Sequence, residues 1–366
     1  MKRIFLLIIL LLLTSCKYES APVPDEAAFL IGQVGAISGT PISVNREVIV
    51  RAAGGKLITE VNDFSSDGTL AAIESLIAKG CEGIIFTPMS ESMLPQITKI
   101  CEEAHVYWVI SMRPINDPET RQIVEASPYF VGSVFENDEA AGYEIMRILA
   151  QSGVKETALI SISRLNSAVE ARERGLNKAA EEFGIKIVAE VRNCHNREDI
   201  TRAVNNFIEV YPDLDAIFRV AAYVWGGLPD AVDSILASNR CNQIKLASID
   251  SDMITENHFD KNCIAVVADG HIALDASIAT AMLVNAVTGH PIQEDGPLSF
   301  SVDYIFMRSG EDFKALSMYG GEKTPFFSEE QARSLLLKQY NPSITAEDYQ
   351  KIIDNYTIEK MHRIFE

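Results

Sequence analysis

Basic residues are scarce in this chain of 366 residues: 32 lysines and arginines stand against 51 aspartates and glutamates, giving a formal net charge of −19. So acidic a protein is not expected to bind nucleic acid or an anionic membrane surface by electrostatic attraction.

The sequence also lacks the GxSxG, HExxH and GxxxxGK[ST] motifs and a DxDxDG calcium loop. These absences argue against an enzyme. The six scattered histidines predict no metal site, and no cofactor is expected.

The apolar run from Ile4 to Leu13 has ten residues, too few to span a bilayer. It follows a basic start and ends in Thr14-Ser15-Cys16, which resembles a bacterial lipoprotein signal cleaved before a cysteine that then carries a lipid. Residues 1–16 are therefore predicted to be this signal, with Cys16 as the lipidation site and 17–26 as a polar tether. A plain secretory signal with an incidental cysteine is the alternative, and either one takes the chain out of the cytoplasm.

Cysteine pairs at CxxC spacing are also missing, so a zinc or redox site of that type is not expected. Lipidation of Cys16 would leave five cysteines, most of which are expected to be buried apolar residues. One disulfide is possible in an oxidising compartment, but the sequence does not identify its partners. The five are Cys81, Cys101, Cys194, Cys241 and Cys263.

From Phe29 onward the chain alternates short apolar runs with amphipathic helical segments. Most of the apolar runs are continuous, as in parallel strands that are buried on both faces. The steady succession of strand, helix and strand predicts an α/β fold with mostly parallel sheets. The predicted strands begin at Phe29, Lys56, Gly83, Val106, Tyr129, Ala158, Ile185, Ala216, Ile244 and Ile264.

These strands are too many for one open sheet, and the pattern restarts after the strand at Tyr129. Two Rossmann-like lobes with a cleft between them are the simplest architecture. Ligands of open α/β sheets bind at the carboxyl ends of the strands. Candidate functional residues are therefore expected directly after each strand.

Several segments resemble, in their order and spacing, the type I periplasmic binding proteins of the ribose- and galactose-binding class. The resemblance runs to about Met307. It is carried by EGIIFTPMSESMLPQITKICEEAHVYWVISMRPI from Glu82, ARERG from Ala171, YPDLDAIF from Tyr211, LASIDSD from Leu246 and AVVADG from Ala265.

This resemblance implies two parallel-sheet lobes joined by a three-segment hinge, near Phe135, near Asp269 and within residues 297–302. The N-terminal lobe is predicted to comprise residues 27–134 and 270–297. The C-terminal lobe is predicted to comprise residues 135–269 and 298–366, including a helical tail that wraps one lobe.

The first arginine of ARERG reaches the cleft in that family and donates hydrogen bonds to a sugar hydroxyl, and Arg172 matches it. Its guanidinium offers a fork of donors. A capping box from Ser167 to Glu170 is expected to fix the helix start and so aim the side chain. The alternative is an arginine that extends to a carboxylate on the surface.

The resemblance implies four more ligand contacts on the two lobes. Arg113 matches the arginine of the family's Asp-Arg pair, although Met112 stands in place of the aspartate; an ion pair within a lobe is the alternative. Asp250 and Asp269 match acceptor positions, where a carboxylate can accept from two vicinal hydroxyls. A helix cap is the alternative for Asp250. His195 falls where the family often has a stacking aromatic, and a surface-loop histidine is the alternative.

Other positions depart from the family pattern. Ala221-Ala222 replaces an Asn-Asp pair, and either Tyr223 or Trp225 is a candidate aromatic platform, with a core position as the alternative for each. Ser38 and Thr40 are small polar candidates in the first loop, where ribose-binding proteins have paired phenylalanines. The pocket is therefore not expected to be a copy of a ribose pocket.

The resemblance implies a monomeric, extracytoplasmic solute-binding lipoprotein of an ABC importer. It would bind a small carbohydrate between its lobes, close by a hinge motion and deliver the ligand to a membrane permease. One alternative keeps the fold and binds a purine nucleoside or a furanosyl signal molecule. A second alternative is the sensing partner of a chemoreceptor or histidine kinase. No nucleic acid partner, metal or catalytic residue is expected.

Overall fold

The computed structural model describes residues 27–35, 39–62, 65–164, 166–221, 226–319 and 324–365. Within these ranges the chain forms twelve strands. They are β1 (Leu30–Val34), β2 (Lys56–Glu60), β3 (Gly83–Phe86), β4 (Tyr107–Ser111), β5 (Phe130–Glu136), β6 (Glu156–Ser161), β7 (Lys186–Arg192), β8 (Ala216–Arg219), β9 (Lys245–Ile249), β10 (Ile264–Asp269), β11 (Leu298–Val302) and β12 (Ile305–Met307).

The strands form two six-stranded sheets, ordered β11-β5-β4-β3-β1-β2 and β12-β10-β9-β8-β6-β7. Every described pairing is parallel except that of β10 with β12. The predicted α/β class with two parallel-sheet lobes is therefore confirmed. All ten predicted strands are present as well, and all four residues of β3 are buried, as its continuous apolar run indicates.

Helices connect successive strands and cover the sheets. They are α1 (Pro41–Ala52), α2 (Ser66–Ala78), α3 (Leu94–Ala104), α4 (Pro118–Glu125), α5 (Asp138–Gln151), α6 (Ser167–Phe183), α7 (Arg197–Val210), α8 (Gly227–Ala237), α9 (Glu256–Asp260), α10 (His271–Val287), α11 (Gly310–Ser317), α12 (Glu329–Leu335) and α13 (Ala346–Asp354). Short 3-10 helices lie at Glu91–Met93 and Met361–Ile364.

The start of α6 differs from the sequence prediction. Its N-cap is Asn166, whose side chain accepts hydrogen bonds from the backbone N–H groups of Ala168 and Val169. The predicted capping box from Ser167 to Glu170 is therefore wrong, because the helix begins one residue earlier and Ser167 already lies inside its first turn. Gly184, in the left-handed region, ends the helix.

Helices α5 and α6 pack against each other through two glycines. A Cβ at Gly142 would lie 2.0 Å from the carbonyl oxygen of Arg172, and one at Gly175 would lie 1.9 Å from that of Glu139. The two backbones are thus in direct contact, which any larger side chain would prevent. This contact fixes the position of Arg172 relative to the start of α5.

The chain crosses between the sheets three times, which confirms the three-segment hinge. The crossings follow β5 at Asn137, follow β10 at Gly270, and join β11 to β12 through Asp303 and Tyr304. After the second crossing, α10 returns to the first sheet, where it packs on α1, β4 and β5.

The C-terminal tail packs with the first sheet. Helix α12 contacts α1, and α13 contacts β11. Asn285 of α10 donates hydrogen bonds to the carbonyl oxygen of Leu336 and to the hydroxyl of Tyr349. These contacts contradict the assignment of β11 and of the tail to a C-terminal lobe of residues 135–269 and 298–366. The amphipathic pattern of a helix predicts which face it buries, but not which sheet it covers.

A disulfide joins Cys241, which follows α8, to Cys263, which precedes β10. Cys81, Cys101 and Cys194 are buried thiols, as expected for most of the cysteines. Among the residues that the structure describes, no helix has both the length and the apolar character needed to cross a membrane.

Candidate functional site

The candidate residues lie at or directly after the carboxyl ends of β4, β9 and β10. Met112 and Asp250 directly follow β4 and β9, and both have positive φ angles, of 66° and 68°. The left-handed turn at each position ends the strand abruptly. Asp269 is the last residue of β10, and its carboxylate accepts hydrogen bonds from the backbone N–H groups of Ser251 (2.8 Å) and Gly270 (2.7 Å).

Arg172 lies at the base of this region and is buried. Its Nε donates to Oδ1 of Asp138 (2.7 Å), Nη1 to the carbonyl oxygen of Val220 (3.0 Å), and Nη2 to the hydroxyl of Tyr304 (2.8 Å). These bonds use three of the five N–H donors of the guanidinium. The alternative of a surface carboxylate is wrong, because the carboxylate of Asp138 is itself only 5% exposed.

The partners of Arg172 come from different crossings. Asp138 begins α5 after the first crossing, and Tyr304 lies within the third. The hydroxyl of Tyr304 also donates to Oδ1 of Asp138, over 2.8 Å. Burial raises the pKa of Tyr304 well above its ordinary value, so the hydroxyl stays neutral and can donate. One guanidinium therefore ties two of the three crossings together.

The second crossing joins the same group through His271, the first residue of α10. Its ring lies against that of Tyr304, with 4.1 Å between the centroids. Its Nε2 is 3.6 Å from Oδ1 of Asp250, and its Nδ1 is 4.0 Å from Oδ1 of Asp269. Burial lowers the pKa of His271, although both carboxylates oppose this shift. We call Asp138, Arg172, Asp250, Asp269, His271 and Tyr304 the hinge cluster.

Arg113 approaches the first crossing from the first sheet. Its Nη1 donates to the carbonyl oxygen of Met112 and lies 3.9 Å from Oε2 of Glu136. Burial raises the pKa of Glu136 well above its ordinary value, and the acids Asp275 and Asp138 add to the shift. At 3.9 Å this contact lies at the outer limit of an ion pair, and the burial of Glu136 disfavours its charged form, so both features weaken the ion pair weighed as an alternative for Arg113.

Two buried arginines donate hydrogen bonds to residues at the ends of β4 and β9. In the first sheet, Nη2 of Arg46 donates to Oγ of Ser111 (3.0 Å), which in turn donates to Asp275. In the second sheet, Nη1 of Arg219 donates to Oδ2 of Asp252 (3.0 Å). Another Arg219 nitrogen, Nη2, donates to the carbonyl oxygen of Asp250 over 2.9 Å. These contacts hold the chain in place where β4 and β9 end.

The remaining predicted site residues are not brought into the hinge cluster by any described contact. His195 follows the edge strand β7, is exposed, and its backbone N–H donates to Oδ2 of Asp199. Thr40 is the N-cap of α1 and accepts from the backbone N–H of Ser43. For Asp250, which is in the hinge cluster, the helix-cap alternative is wrong, since the N-cap of α9 is Thr255. Ser38, Tyr223, Trp225 and Cys16 lie outside the described residues.

A groove of about 1200 Å³ lies next to the hinge cluster but shares only Tyr304 with it. It is lined by α5, α6, residues 301–306 and residues 350–359. The size of this groove would favour it as a ligand site, whereas the convergence of buried and half-buried polar groups favours the cleft. We place the candidate site at the hinge cluster and the neighbouring Arg113, because ligand specificity comes from such groups, and we call this region the cleft.

Sequence reasoning missed Glu136, Asp138, His271, Asp275 and Tyr304. Asp138 and His271 each begin a helix directly after a strand of the sheet, which is a signal that could have been used. Tyr304 and Asp275 carry no such local signal, because contacts distant in sequence bring them to the site.

Residues 53–241 match the model of a family described as periplasmic binding proteins and sugar binding domain of LacI family. No curated protein sequence matches the chain significantly.

Solved structures with the same fold include an ABC transporter periplasmic solute-binding protein from Actinobacillus succinogenes with bound D-allose. It is 18% identical with a TM-score of 0.66, over 78% of this chain and 99% of that one. A periplasmic sugar-binding protein from Pseudomonas fluorescens is 16% identical with a TM-score of 0.67, over 88% and 99%. A periplasmic ribose ABC transporter protein from Conexibacter woesei is 16% identical with a TM-score of 0.62, over 81% and 97%. At such identities, the likeness shows a shared fold.

Proposed function

Because the chain belongs to the family of periplasmic binding proteins and LacI-type sugar-binding domains, we propose that it binds a small carbohydrate between its two lobes. A hinge rotation about the three crossings closes the lobes on the ligand. The sugar ligands named for the similar solved structures support a carbohydrate over other small molecules.

One observation carries this proposal: each sheet has partly exposed hydrogen-bonding groups at strand ends that lie next to the chain crossings. From the second sheet come Asp250, whose side chain is 35% exposed, and Asp269, 18% exposed. From the first sheet comes Arg113, 18% exposed. A sugar presents adjacent hydroxyls that donate to carboxylates and accept from a guanidinium, so this combination suits it.

Within this proposal Arg113, Asp250 and Asp269 contact the ligand. Arg172 holds the base of the cleft and has two N–H groups left that can reach a hydroxyl. His195, Thr40, Ser38, Tyr223 and Trp225 remain candidate contacts.

We further propose that the chain acts outside the cytoplasm as a monomer, anchored by a lipid on Cys16, and that it delivers its ligand to an ABC permease. The protein binds and does not catalyse. Labelling of the full-length chain with a radioactive fatty acid in a bacterial host tests the anchor. Loss of label in Cys16→Ala is the expected result, and label that persists in this variant would contradict it.

Calorimetric titration with pentoses, hexoses and inositols tests the ligand, using the chain from Lys17 onward, which retains every described residue. One of these compounds is expected to bind the wild type, and Asp250→Asn is expected to weaken it at least about tenfold, because a charged hydrogen bond is lost. Asparagine tolerates the positive φ at this position. Asp213→Asn, exposed in the loop before β8, is the matched control and should bind like the wild type.

Other outcomes separate the alternatives. Binding of purine nucleosides but of no sugar would keep the fold and replace the ligand class. Equal sugar affinity in the wild type and in Asp250→Asn would move the site away from β9. Binding of no compound, together with capture of a membrane receptor or kinase ectodomain, would favour a sensing protein over a transporter component.

A further inference from the structure

Three potential metal ligands converge at the carboxyl ends of β9 and β10. One ligand atom each from Asp250, Asp269 and His271 can be chosen so that all lie within 4.8 Å of one another. Bonds from Zn²⁺ to histidine nitrogen and carboxylate oxygen are about 2.0–2.2 Å long, so two ligands of one ion are separated by roughly 3–4 Å. Small side-chain rotations would bring the three atoms to that spacing.

The surroundings of His271 give a second, independent indication of a metal site. The side chain of His271 is 4% exposed, and no described residue hydrogen-bonds its Nδ1. Its Nε2 lies 3.6 Å from the nearest carboxylate oxygen, which is beyond hydrogen-bond distance. A buried imidazole nitrogen without a partner is costly in a folded protein. A cation bound to Nδ1 and to the carboxylates would satisfy this nitrogen.

The surroundings hold the three groups in place. The Tyr304 ring packs against the His271 ring at a tilt of 40°, and two backbone N–H groups fix the carboxylate of Asp269 while leaving lone pairs on its oxygens. The carboxylate of Asp250 accepts no hydrogen bond from any described residue, although its backbone is fixed by Arg219. Such outer contacts orient metal ligands in proteins.

The local charge also favours a cation. Arg172 lies close by, but Asp138 pairs with it at 2.7 Å, and Asp252 pairs with Arg219 at 3.0 Å. No lysine or arginine in the described part of the chain lies at ion-pair distance from Asp250 or Asp269. The negative charges of these two carboxylates, both near the ring, are therefore not neutralised by such a partner. An imidazole with two carboxylates suits a borderline divalent ion better than calcium or magnesium, which prefer oxygen ligands alone.

We propose that Asp250, Asp269 and His271 bind a divalent first-row transition-metal ion, such as Zn²⁺ or Mn²⁺, at the mouth of the cleft. The three ligands lie on one side of the ion, and the partial exposure of both carboxylates leaves its remaining positions open to water. A hydroxyl of the sugar would occupy one of these open positions, and this part of the inference rests on the proposed carbohydrate function. Binding of the ion itself does not depend on that function.

The test uses the chain from Lys17 onward, purified without a polyhistidine tag and stripped with EDTA that is then removed. Titration of ZnCl₂ and MnCl₂ in sugar-free buffer is followed by calorimetry, and CoCl₂ serves as a visible-absorption probe of the coordinated ion. The wild type is expected to bind one ion per chain. His271→Gln and Asp250→Asn are each expected to weaken binding at least about tenfold, since even outer partners of metal ligands matter by 10–100-fold.

Asp213→Asn removes an equal charge far from the cleft and should bind the ion like the wild type. Equal affinity in the wild type and in His271→Gln would assign the binding to surface histidines and overturn the inference. Absence of binding to the wild type would overturn it as well. Sugar titrations in EDTA are read separately, so a protein that binds sugar but no metal refutes this inference and leaves the proposed function standing.

Discussion

Replacement of Arg172 by methionine is expected to destabilise the protein even when no ligand is present. Methionine keeps much of the length and apolar volume but removes the hydrogen bonds to Asp138, Val220 and Tyr304. The carboxylate of Asp138, 5% exposed, then keeps Tyr304 as a donor but loses its counter-charge. Removing one partner of a buried ion pair costs about 3–5 kcal/mol, because the other charge stays buried without compensation.

This cost corresponds to a measurable shift in the unfolding midpoint. For a chain of this size the unfolding entropy near Tm is about 0.7 kcal/mol per kelvin, so the Tm should fall by about 4–7 °C. Urea denaturation of the chain from Lys17 onward, followed by tryptophan fluorescence and circular dichroism, gives the free energy of unfolding directly.

A double-mutant cycle with Asp138→Asn isolates the pair. In the Asp138→Asn background the carboxylate that pairs with Arg172 is already absent, so Arg172→Met should cost about 2 kcal/mol less than in the wild type. A change below about 1 kcal/mol for Arg172→Met alone, or additive effects in the cycle, would refute the reasoning. A residue that served only the ligand would show its effect only when ligand is present.

Burial raises the pKa of Asp275 from 3.8 to about 7. Between pH 3.8 and about pH 7 the folded state therefore holds a proton that the unfolded state releases, so stability is lost as the pH rises through this range. The free energy of unfolding of the wild type minus that of Asp275→Asn should therefore decrease from about pH 5 to pH 8 in urea titrations; a constant difference would contradict this. Replacement of Cys241 and Cys263 by serine opens a cross-link between positions 22 residues apart and should cost about 3 kcal/mol, measured as the difference from the oxidised wild type. Equal stability of the two would show that the bond contributes nothing. Gly142→Ala would place its Cβ 2.0 Å from a carbonyl oxygen, so α5 and α6 must separate, and a loss of at least about 1–3 kcal/mol is expected by thermal denaturation; an unchanged Tm would mean that the helices are not in contact.

Much of the fold was predictable because parallel strands buried on both faces leave continuous apolar runs that can be read locally. The crossing after β10, at Gly270, was predicted near Asp269 for the same reason, since the strand ends there. The third crossing lies at Asp303–Tyr304, just beyond the predicted stretch of residues 297–302. The tail was assigned to the wrong sheet because nothing local in an amphipathic helix identifies its partner.

The candidate site was only partly predictable. Strand ends located Arg113, Asp250 and Asp269, whereas the partners that define their setting come from other parts of the chain. His271 illustrates the difficulty: one histidine among six has no spacing pattern, and only the fold shows that its ring lies between two carboxylates. The sequence prediction of no metal site rested on such spacing, which does not register ligands from separate strands, and it stays a prediction.

The pairing of β5 with β11 also affects how the protein is made. Ser133 and Ser299, bonded across this pair, are 166 positions apart. At a synthesis rate of about 5–20 residues per second, β11 leaves the ribosome roughly 8–30 s after β5. During that interval the nascent first lobe lacks both α10, which covers its face, and the strand that protects its edge, while the second lobe is still being translated. Because each lobe combines separate segments of the chain, a single truncation of the gene cannot yield either lobe alone. A nascent chain arrested before residue 298 is expected to need a chaperone.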